Sequence, residues 1–304
     1  MMVQILLSTY NGTKYLKPLM ESLLDQDYPH VEILVRDDGS NDGTVGLLKE
    51  YAATRTNIKI VPGESIGFAK SFFKLLEISS PTARYIALCD QDDVWLRDKV
   101  SRAVEFLSHY PRDIPALYYS RLAVVDENLK PLGYTKLPRK GLSFCNALVE
   151  GPEGSGCTIL FNQAALQLLR TFPTRVYTHD WWIYLVVSGF GNIIYDKESR
   201  ILYRQHASNV FGIPFGVLEK FRAKIHRFKT GQLQYQNAMD QAQEFMRIYG
   251  SSLPIEHKRT LEHLLENRKR FWLDRLRYAL SCEVYHQSTF EHFILKALIA
   301  LNRL

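Results

Sequence analysis

Short apolar runs alternate with helical patterns along the first third of this 304-residue chain, and this alternation limits the fold more than any other feature. The runs cover residues 3–7, 31–35, 58–61 and 84–89, and each is too short to be a helix. Apolar residues at helical spacing follow the first three runs, through residues 23, 51 and 78. The alternation predicts an α/β fold, with a mostly parallel sheet and helices on both faces.

Polar loops follow the first, second and fourth runs. In a parallel sheet, ligands bind beyond the carboxyl ends of the strands, so we expect these loops to converge on one crevice. Their candidate residues are Ser8, Thr9, Tyr10, Asn11 and Gly12, then Asp37 and Asp38, then Asp90, Gln91, Asp92 and Asp93. An aromatic face, a carboxylate and an acidic pair suit a nucleotide diphosphate. Taken alone, residues 37–44 are better explained as a well-capped turn.

The acidic cluster after the fourth run is the most unusual of these loops. Asp90, Asp92 and Asp93 lie within four positions, and like charges this close repel unless a cation or strong donors hold them. One interpretation is a ligand set for Mg²⁺ or Mn²⁺, which favour oxygen ligands and accompany phosphates. The other is a solvated turn, with Asp93 as the N-cap of a helix that starts near Leu96.

Other nucleotide-binding folds are disfavoured. The chain has no GxxxxGK[ST] loop and no GxGxxG after its first strand. Residues 116–125 have the composition of another strand, and residues 126–140 that of a polar connection. Gly151, Gly154 and Gly156 precede Cys157 and a further strand, which indicates either close backbone approach to a ligand or a tight turn.

Two further stretches contain groups that could perform chemistry. His179, Asp180 and Trp181 open a helical pattern, in which Asp180 is either a cap over core aromatics or a base whose pKa an apolar wall raises. A strand over residues 201–204 ends in Arg204 and is followed by His206. A lone histidine is more often structural than a ligand.

Composition and charge limit the class of protein. Four cysteines without CxxC spacing indicate reduced thiols, and no run approaches the eighteen apolar residues of a membrane span, so we expect a cytoplasmic protein. Residues 214–304 contain 15 Lys or Arg and 9 Asp or Glu, which accounts for the whole net charge of +6. We therefore predict a first domain over 1–213, a basic helical region over 214–304, and an anionic partner for that region.

The C-terminal region shows three apolar stripes at helical spacing. They contain Phe215, Leu218, Phe221, Ile225 and Phe228, then Leu261, Leu264, Leu265, Trp272, Leu276 and Leu280, then Phe290, Phe293, Ile294, Ala297, Leu298 and Leu301. We expect the middle stripe to be buried. The first and last stripes are open to burial, to a homodimer or to peripheral membrane contact. No nucleic-acid recognition motif is present.

Taken together, these stretches resemble the family 2 glycosyltransferases of GT-A (Rossmann-like) fold, which move a sugar from a nucleotide diphosphate-sugar with inversion. The resemblance rests on Ser8-Thr9-Tyr10-Asn11-Gly12, Asp37-Asp38-Gly39-Ser40, Asp90-Gln91-Asp92, His179-Asp180-Trp181 and Tyr203-Arg204-Gln205-His206. The amino acids in these motifs are similar to those of the bacterial rhamnosyltransferase branch, which takes part in cell-surface polysaccharide synthesis. That branch implies a dTDP-L-rhamnose donor, although it also contains enzymes that use UDP-hexoses.

The resemblance implies roles for single residues. Tyr10 would stack on the base, Ser8 would contact base and ribose, Asp38 would accept from the pyrimidine N–H, and Asp90 would face the donor ribose or sugar, with Thr9, Asn11 and Gln91 nearby. Asp92 would bind Mn²⁺ or Mg²⁺, with His206 as a further metal or phosphate partner, and Asp180 would be the catalytic base. Acceptor-side candidates are Gly156, Cys157, His179, Trp181 and Arg204.

The resemblance also limits the reaction. The QxxRW motif of processive relatives is absent, which favours addition of a single sugar to a glycan or a polyprenyl-diphosphate-linked acceptor at the inner face of the membrane. Two alternatives stay open: a UDP-hexose-dependent transferase of the same fold, and a nucleotide-sugar-binding subunit with little activity. A nucleotidyltransferase is disfavoured, because residues 8–13 contain no basic residue.

Overall fold

A computed structural model describes residues 1–152, 156–206 and 235–303 of the chain. These residues form two compact units. The first unit comprises Met1–Leu137 and the described parts of Glu153–Arg170 and Asn192–Ile213. The second comprises Pro138–Pro152, Thr171–Gly191 and the described part of Pro214–Leu304.

The first unit is built on a seven-stranded sheet with the order β10-β6-β9-β4-β1-β2-β3. Its strands are β1 (Val3–Thr9), β2 (Val31–Asp37), β3 (Ile58–Pro62), β4 (Tyr85–Cys89), β6 (Ala116–Ser120), β9 (Leu160–Asn162) and β10 (Asn192–Asp196). Strands β1 to β4 pair in parallel, as do β6 and β10, while β9 is antiparallel to both of its neighbours. The predicted α/β class with a mostly parallel sheet is confirmed.

Burial of the central strands shows that both faces of the sheet are covered. Every residue of β4 and β6 is buried, and so are all but one of the residues of β1. Such continuous apolar strands are typical of parallel sheets packed on both sides. The helices of this unit are α1 (Thr13–Leu24), α2 (Thr44–Thr54), α3 (Phe68–Ile78), α4 (Lys99–Ser108) and α6 (Gln163–Leu169).

A second sheet of four strands has the order β5-β11-β7-β8. Its strands are β5 (Val94–Trp95), β7 (Ala123–Val125), β8 (Pro131–Tyr134) and β11 (Ile201–Arg204). This sheet corrects the prediction of one strand over residues 116–125, because the chain leaves the large sheet after Ser120 and joins the small one at Ala123. Pairing of β11 with β5 places Arg204 and His206 close to the acidic loop after β4.

One other local prediction was wrong. The helix expected near Leu96 begins at Lys99 and its N-cap residue is Asp98, not Asp93. Residues Gly156–Thr158 form a 3-10 turn before β9. Gly154 lies outside the described residues.

The second unit is helical in its described residues. It contains α5 (Phe144–Ala147), α7 (His179–Phe190), α8 (235–249), α9 (Ile255–Glu266), α10 (Trp272–Ser281) and α11 (Thr289–Ala300). Its core is aromatic: the Phe245 ring centroid lies 5.5 Å from that of Phe144, 5.1 Å from Tyr249 and 6.2 Å from Trp182. The domain boundary expected near residue 213 stays a prediction, and the structure adds that two earlier segments pack with the C-terminal helices.

The structure divides the predicted C-terminal stripes. In the middle stripe, Leu261 and Leu264 are buried, but Trp272, Leu276 and Leu280 are 54%, 42% and 70% exposed, so a single chain does not bury the whole stripe, and its burial against a second copy stays a prediction. In the last stripe, Phe290, Phe293 and Leu301 are exposed and Ile294, Ala297 and Leu298 are half-buried, whereas α11 buries Leu295 and Ile299, which lie outside the stripe. The first stripe, residues 215–228, lies outside the described residues. No helix within 1–152, 156–206 or 235–303 combines the length and apolarity needed to cross a bilayer.

The aromatic core gives a stability prediction. We expect Phe245→Ala to lower the free energy of unfolding by about 3–5 kcal/mol, because it empties the centre of this ring cluster. Urea titration followed by circular dichroism measures the change. The matched control is Phe271→Ala, whose side chain is 64% exposed and whose loss we expect to cost no more than about 0.5 kcal/mol. Equal losses in both variants would contradict this description of the core.

Candidate active site

Gln91 joins the loops that follow β1 and β4. Its Oε1 accepts a hydrogen bond from the Tyr10 backbone N–H at 2.7 Å, and its Nε2 donates to the Tyr10 carbonyl at 2.9 Å. A Cβ at Gly12 would overlap the Gln91 carboxamide, so a larger residue there would displace Gln91 from this pair. Tyr10 itself stays 51% exposed, so its ring is accessible to a planar ligand.

The loop after β2 joins the same edge of the sheet. The Asn11 backbone N–H donates to Ser40 Oγ at 2.8 Å, and Asn11 Oδ1 accepts from the Asn41 backbone N–H at 3.0 Å. Asn11 has a φ of 48°, in the left-handed region that asparagine tolerates better than most residues. The loops carrying Tyr10, Asp38 and Asp90 to Asp92 therefore lie together, as parallel-strand topology predicts.

Asp37 and Asp38 have different surroundings although they are adjacent. Asp37 organises the turn, since its carboxylate accepts from Thr9 Oγ1 at 2.8 Å, the Ser40 backbone N–H at 2.8 Å and Ser40 Oγ at 2.7 Å. The contacts of Asp37 therefore agree with the interpretation of residues 37–44 as a well-capped turn. It also gives Thr9 a structural hydrogen bond inside the site.

Asp38 forms a buried ion pair with Arg36. Its carboxylate also accepts from the backbone N–H groups of Ile66 at 3.0 Å and Gly67 at 2.9 Å. A donor on a bound base would share an oxygen that already accepts, so the predicted contact between Asp38 and a pyrimidine stays a prediction. Arg36 is a charged member of the site that sequence reasoning missed.

Ser8 is linked to the same pair through a serine of α3. Ser71 Oγ lies 2.6 Å from Ser8 Oγ and accepts from Arg36 Nη1 at 3.0 Å. The hydroxyl of Ser8 therefore belongs to the network that holds Asp38. Its predicted contact with base and ribose stays a prediction.

Asp92 and His206, the two predicted metal ligands, are brought together from positions 114 residues apart. Asp92 Oδ2 lies 2.9 Å from His206 Nε2, and the two side chains are only 17% and 12% exposed. A carboxylate oxygen and an imidazole nitrogen suit Mn²⁺, and carboxylate oxygens suit Mg²⁺. The donor set at this position fits a divalent cation.

Asp93 is fully buried beneath these ligands. Its Oδ1 accepts from the Arg204 backbone N–H at 3.1 Å, while its Oδ2 has no hydrogen-bond partner among the described residues. Burial raises the pKa of Asp93 well above its usual value, and the charges of Asp92 and Asp90 add to this effect. The interpretation of this cluster as a solvated turn was therefore wrong.

Cys157 completes a second group of donor atoms next to Asp93. One ligand atom each from Asp90, Asp93 and Cys157 lies within 4.8 Å of the others. Cys157 and the adjoining Gly156 are buried in the 3-10 turn before β9. Both residues therefore lie beside the acidic cluster. Their role on the acceptor side of the site stays a prediction.

Lys99 places a buried amine beside the acidic cluster. Its Nζ lies 3.5 Å from the centroid of the Trp95 ring, and the residue is 1% exposed. Burial lowers the pKa of Lys99 to about 8, against the opposing effects of Cys157, Cys89 and Asp93. An amine of this kind supplies a positive charge near the carboxylates without contact with solvent.

Arg204 and Tyr15 hold the end of β11 in place. Arg204 Nε donates to the Asp92 carbonyl at 2.8 Å, and Arg204 Nη1 donates to the Glu127 carbonyl at 2.6 Å. The Tyr15 ring stacks on the His206 ring, with centroids 4.8 Å apart, and lies 4.7 Å from the Arg204 guanidinium. The buried Arg204 thus positions the loop, and Tyr15 is a second member of the site that sequence reasoning missed.

The candidate base lies in the second unit. Asp180 is half-buried in the first turn of α7, after the N-cap residue Thr178, and its Oδ1 accepts from the Trp181 backbone N–H at 2.8 Å. Trp181 is buried, and its Nε1 donates to the Ala147 carbonyl at 2.7 Å. His179 and Trp181 therefore belong to the core around α7, and the role of Asp180 as base stays a prediction.

Comparison with known sequences places this site in a family. The family model named Glycosyl transferase family 2 matches residues 4–167. The dTDP-rhamnosyl transferase RfbG of Shigella flexneri is 26% identical over 234 residues, which cover 71% of this chain and 77% of the relative. TuaG of Bacillus subtilis, named for teichuronic acid biosynthesis, is 36% identical over 107 residues, which cover 35% of this chain and 42% of the relative.

Solved structures support the GT-A fold. The fragment 1–349 of TarS from S. aureus in complex with UDP-GlcNAc matches with a TM-score of 0.62 and 16% identity, over 100% of this chain and 80% of that chain. The mannosyltransferase PcManGT of Pyrobaculum calidifontis, in complex with GDP-Man and Mn²⁺, matches with a TM-score of 0.50 and 17% identity, over 99% and 86%.

His179 gives a prediction about pH. Burial lowers the pKa of this histidine to about 4. Between pH 6.5 and 4 the unfolded chain binds a proton at His179 that the folded chain does not. The free energy of unfolding therefore decreases as the pH is lowered, by up to about 3 kcal/mol. We expect His179→Asn to lose less stability than the parent protein between pH 7 and pH 4.5 in urea titrations. The matched control is His109→Asn, an exposed histidine, which should keep the parental loss. An unchanged loss in His179→Asn would contradict the assignment.

Proposed function

The chain belongs to glycosyl transferase family 2, and from this premise we propose that it is an inverting, metal-dependent enzyme that transfers single sugars from a nucleotide diphosphate-sugar. The observation that carries the proposal is the meeting of three loops through Tyr10, Gln91 and Ser40, beside the pair of Asp92 and His206. This edge offers an exposed aromatic ring and several carboxylates to one ligand.

We propose L-rhamnose, supplied as dTDP-L-rhamnose, as the sugar. The name of the Shigella relative supports this donor. A UDP-hexose is the alternative, and the UDP-GlcNAc bound by the TarS fragment supports that possibility. The chemistry proposed below is the same for either donor, because both leave as a nucleoside diphosphate.

The proposed acceptor is a glycan or a polyprenyl-diphosphate-linked sugar of cell-surface polysaccharide synthesis. The name of the Bacillus relative supports polysaccharide synthesis. Such an acceptor would place the protein in the cytoplasm, peripheral to the inner face of the membrane, with residues 1–213 as catalytic domain. Pairing of two chains through residues 214–304 is a further proposal.

Within the donor site, we assign stacking on the base to Tyr10, whose backbone Gln91 holds in place. Asp38 and Ser8 would face the base and ribose, and Asp90 the sugar. Asp92 and His206 would hold Mn²⁺ or Mg²⁺, and the cation would act as a Lewis acid that stabilises negative charge on the diphosphate. Arg204 and Tyr15 orient these two ligands through the contacts described above.

Asp180 is the proposed general base. An acceptor hydroxyl would give its proton to the Asp180 carboxylate while the hydroxyl oxygen bonds to the anomeric carbon and the bond to the diphosphate oxygen breaks. Attack opposite the leaving group inverts the configuration. Because this base acts on the acceptor, its loss should reduce turnover much more than donor binding.

The first experiment measures release of nucleoside diphosphate from dTDP-rhamnose, UDP-glucose, UDP-galactose and UDP-GlcNAc, with a lipid-linked acceptor fraction and Mn²⁺. We expect release from dTDP-rhamnose. Release from a UDP-sugar alone would keep the mechanism and replace the donor. Binding of nucleotide without release from any donor would favour the binding-subunit alternative.

The same assay tests the cation. We expect excess EDTA to abolish release and added Mn²⁺ or Mg²⁺ to restore it. Asp92→Asn and His206→Gln should raise the Mn²⁺ concentration needed for half-maximal activity, since each removes a proposed ligand. Full activity in EDTA would contradict metal dependence.

Asp180→Asn tests the base. We expect turnover to fall by about two to four orders of magnitude, with nucleotide affinity retained, because the amide cannot accept the proton. The matched control is Asp240→Asn, an exposed carboxylate of α8 in the same unit, which should keep parental turnover. Near-normal turnover in Asp180→Asn would show that another group is the base.

A further inference from the structure

Helix α10 presents an apolar stripe to solvent. Trp272, Leu276 and Leu280 are spaced four residues apart, so they lie on one side of the helix. They are 54%, 42% and 70% exposed, and the adjoining Phe271 and Leu273 are 64% and 42% exposed. Ala279 of the same helix is buried and Arg275 and Tyr278 are half-buried, so α10 packs through the side next to this stripe.

Helix α11 packs beside α10 and also exposes aromatic side chains. Arg275 Nε donates to the Ala300 carbonyl and Lys296 Nζ donates to the Leu280 carbonyl, so the two helices run antiparallel. Phe293 lies one turn before Lys296 and is 72% exposed, and Phe290 is 59% exposed. Leu280 therefore lies near Lys296, one helical turn from Phe293. We call Trp272, Leu276, Leu280, Phe290 and Phe293 the apolar face.

The segment that contains the apolar face is basic. Residues 268–303 contain seven Lys or Arg and three Asp or Glu. The Arg277 side chain is 82% exposed, and its nearest acidic partner, Asp274, is 3.7 Å away and itself 55% exposed. A salt bridge this exposed is weak, so it neutralises little of the positive charge that Arg277 presents to solvent.

We propose that the apolar face binds the surface of an anionic lipid bilayer. Trp and Phe side chains together with Lys and Arg are typical of helices that lie in the headgroup region. Helix α10 has ten residues, about 15 Å, which allows it to lie in the interface and not to span it. This inference deepens the peripheral placement in the proposed function by naming its surface and its lipid chemistry.

The charge favours lipid over a second copy of the chain. A symmetric dimer through this face would bring two net-positive surfaces together, which opposes association. Anionic headgroups would instead neutralise Arg277 and its neighbours, at about fivefold in affinity for each basic residue near the surface. Salt would weaken that attraction by screening.

Trp272 provides a direct test in the full-length protein. Trp95, Trp181 and Trp182 are at most 3% exposed, so Trp272 is the accessible member of the four tryptophans. We would titrate the protein with vesicles of equal phosphatidylglycerol and phosphatidylcholine, with and without brominated acyl chains. We expect a blue shift of the emission and quenching by the brominated lipid, both absent in Trp272→Phe, and much weaker binding to phosphatidylcholine alone.

Variants separate the apolar and charged contributions. Leu276→Ser with Leu280→Ser should weaken vesicle binding at least tenfold without loss of the fold, because both side chains are exposed. Lys269→Gln with Arg277→Gln should weaken binding to anionic vesicles and reduce its salt dependence. The matched control is Leu132→Ser with Ile255→Ser, two residues 44% and 63% exposed outside the apolar face, which should bind like the parent.

The outcomes distinguish this surface from the transferase. Vesicle binding does not depend on catalysis, so Asp180→Asn should bind like the parent. Absence of binding, binding without quenching of Trp272, or equal weakening by the control pair would overturn the proposal. Concentration-dependent dimerisation that the Leu276→Ser, Leu280→Ser pair abolishes, without vesicle binding, would assign the face to a second copy instead.

Discussion

A hydrogen bond between the Arg204 backbone and the buried Asp93 carboxylate is the contact on which the candidate active site depends. It joins the loop after β4 to the end of β11, and the Arg204 side chain returns a second bond to the Asp92 carbonyl. With the loop after β4 joined to the end of β11, His206 Nε2 lies 2.9 Å from Asp92 Oδ2. A loop anchored only at β4 would leave the acidic residues without a fixed partner.

This anchor has an electrostatic cost. Asp93 is removed from water next to Asp90 and Asp92, and burial and like charge both oppose its ionisation. The buried Lys99 supplies a charge of opposite sign nearby, although its own burial lowers its pKa to about 8. A buried cluster of carboxylates is less stable than an apolar cluster of the same size. Such unfavourable burial of charge is typical of sites that bind a charged ligand.

Most of the sheet and the position of the loops could be predicted from local patterns. Apolar runs and helical spacing are short-range signals, and the parallel topology then sets which loop ends share an edge. The same signals failed for Asp93, because its partner Arg204 is 111 positions away and cap preferences describe only neighbouring residues. They also could not separate Leu264, which is buried, from Leu280, which is exposed.

The amino-acid sequence by itself determined the α/β class, the strands that directly precede Tyr10, Asp38 and Asp90, and the acidic residues that favour a cation. Tertiary structure alone decided that Asp38 pairs with Arg36, that Tyr15 stacks on His206, and which side of α10 meets solvent. The physical reason is the separation along the chain over which each kind of interaction acts. Periodicity and turn preferences follow from steric and hydrogen-bonding limits within a few residues, whereas burial and ion pairing depend on segments brought together from distant parts of the chain.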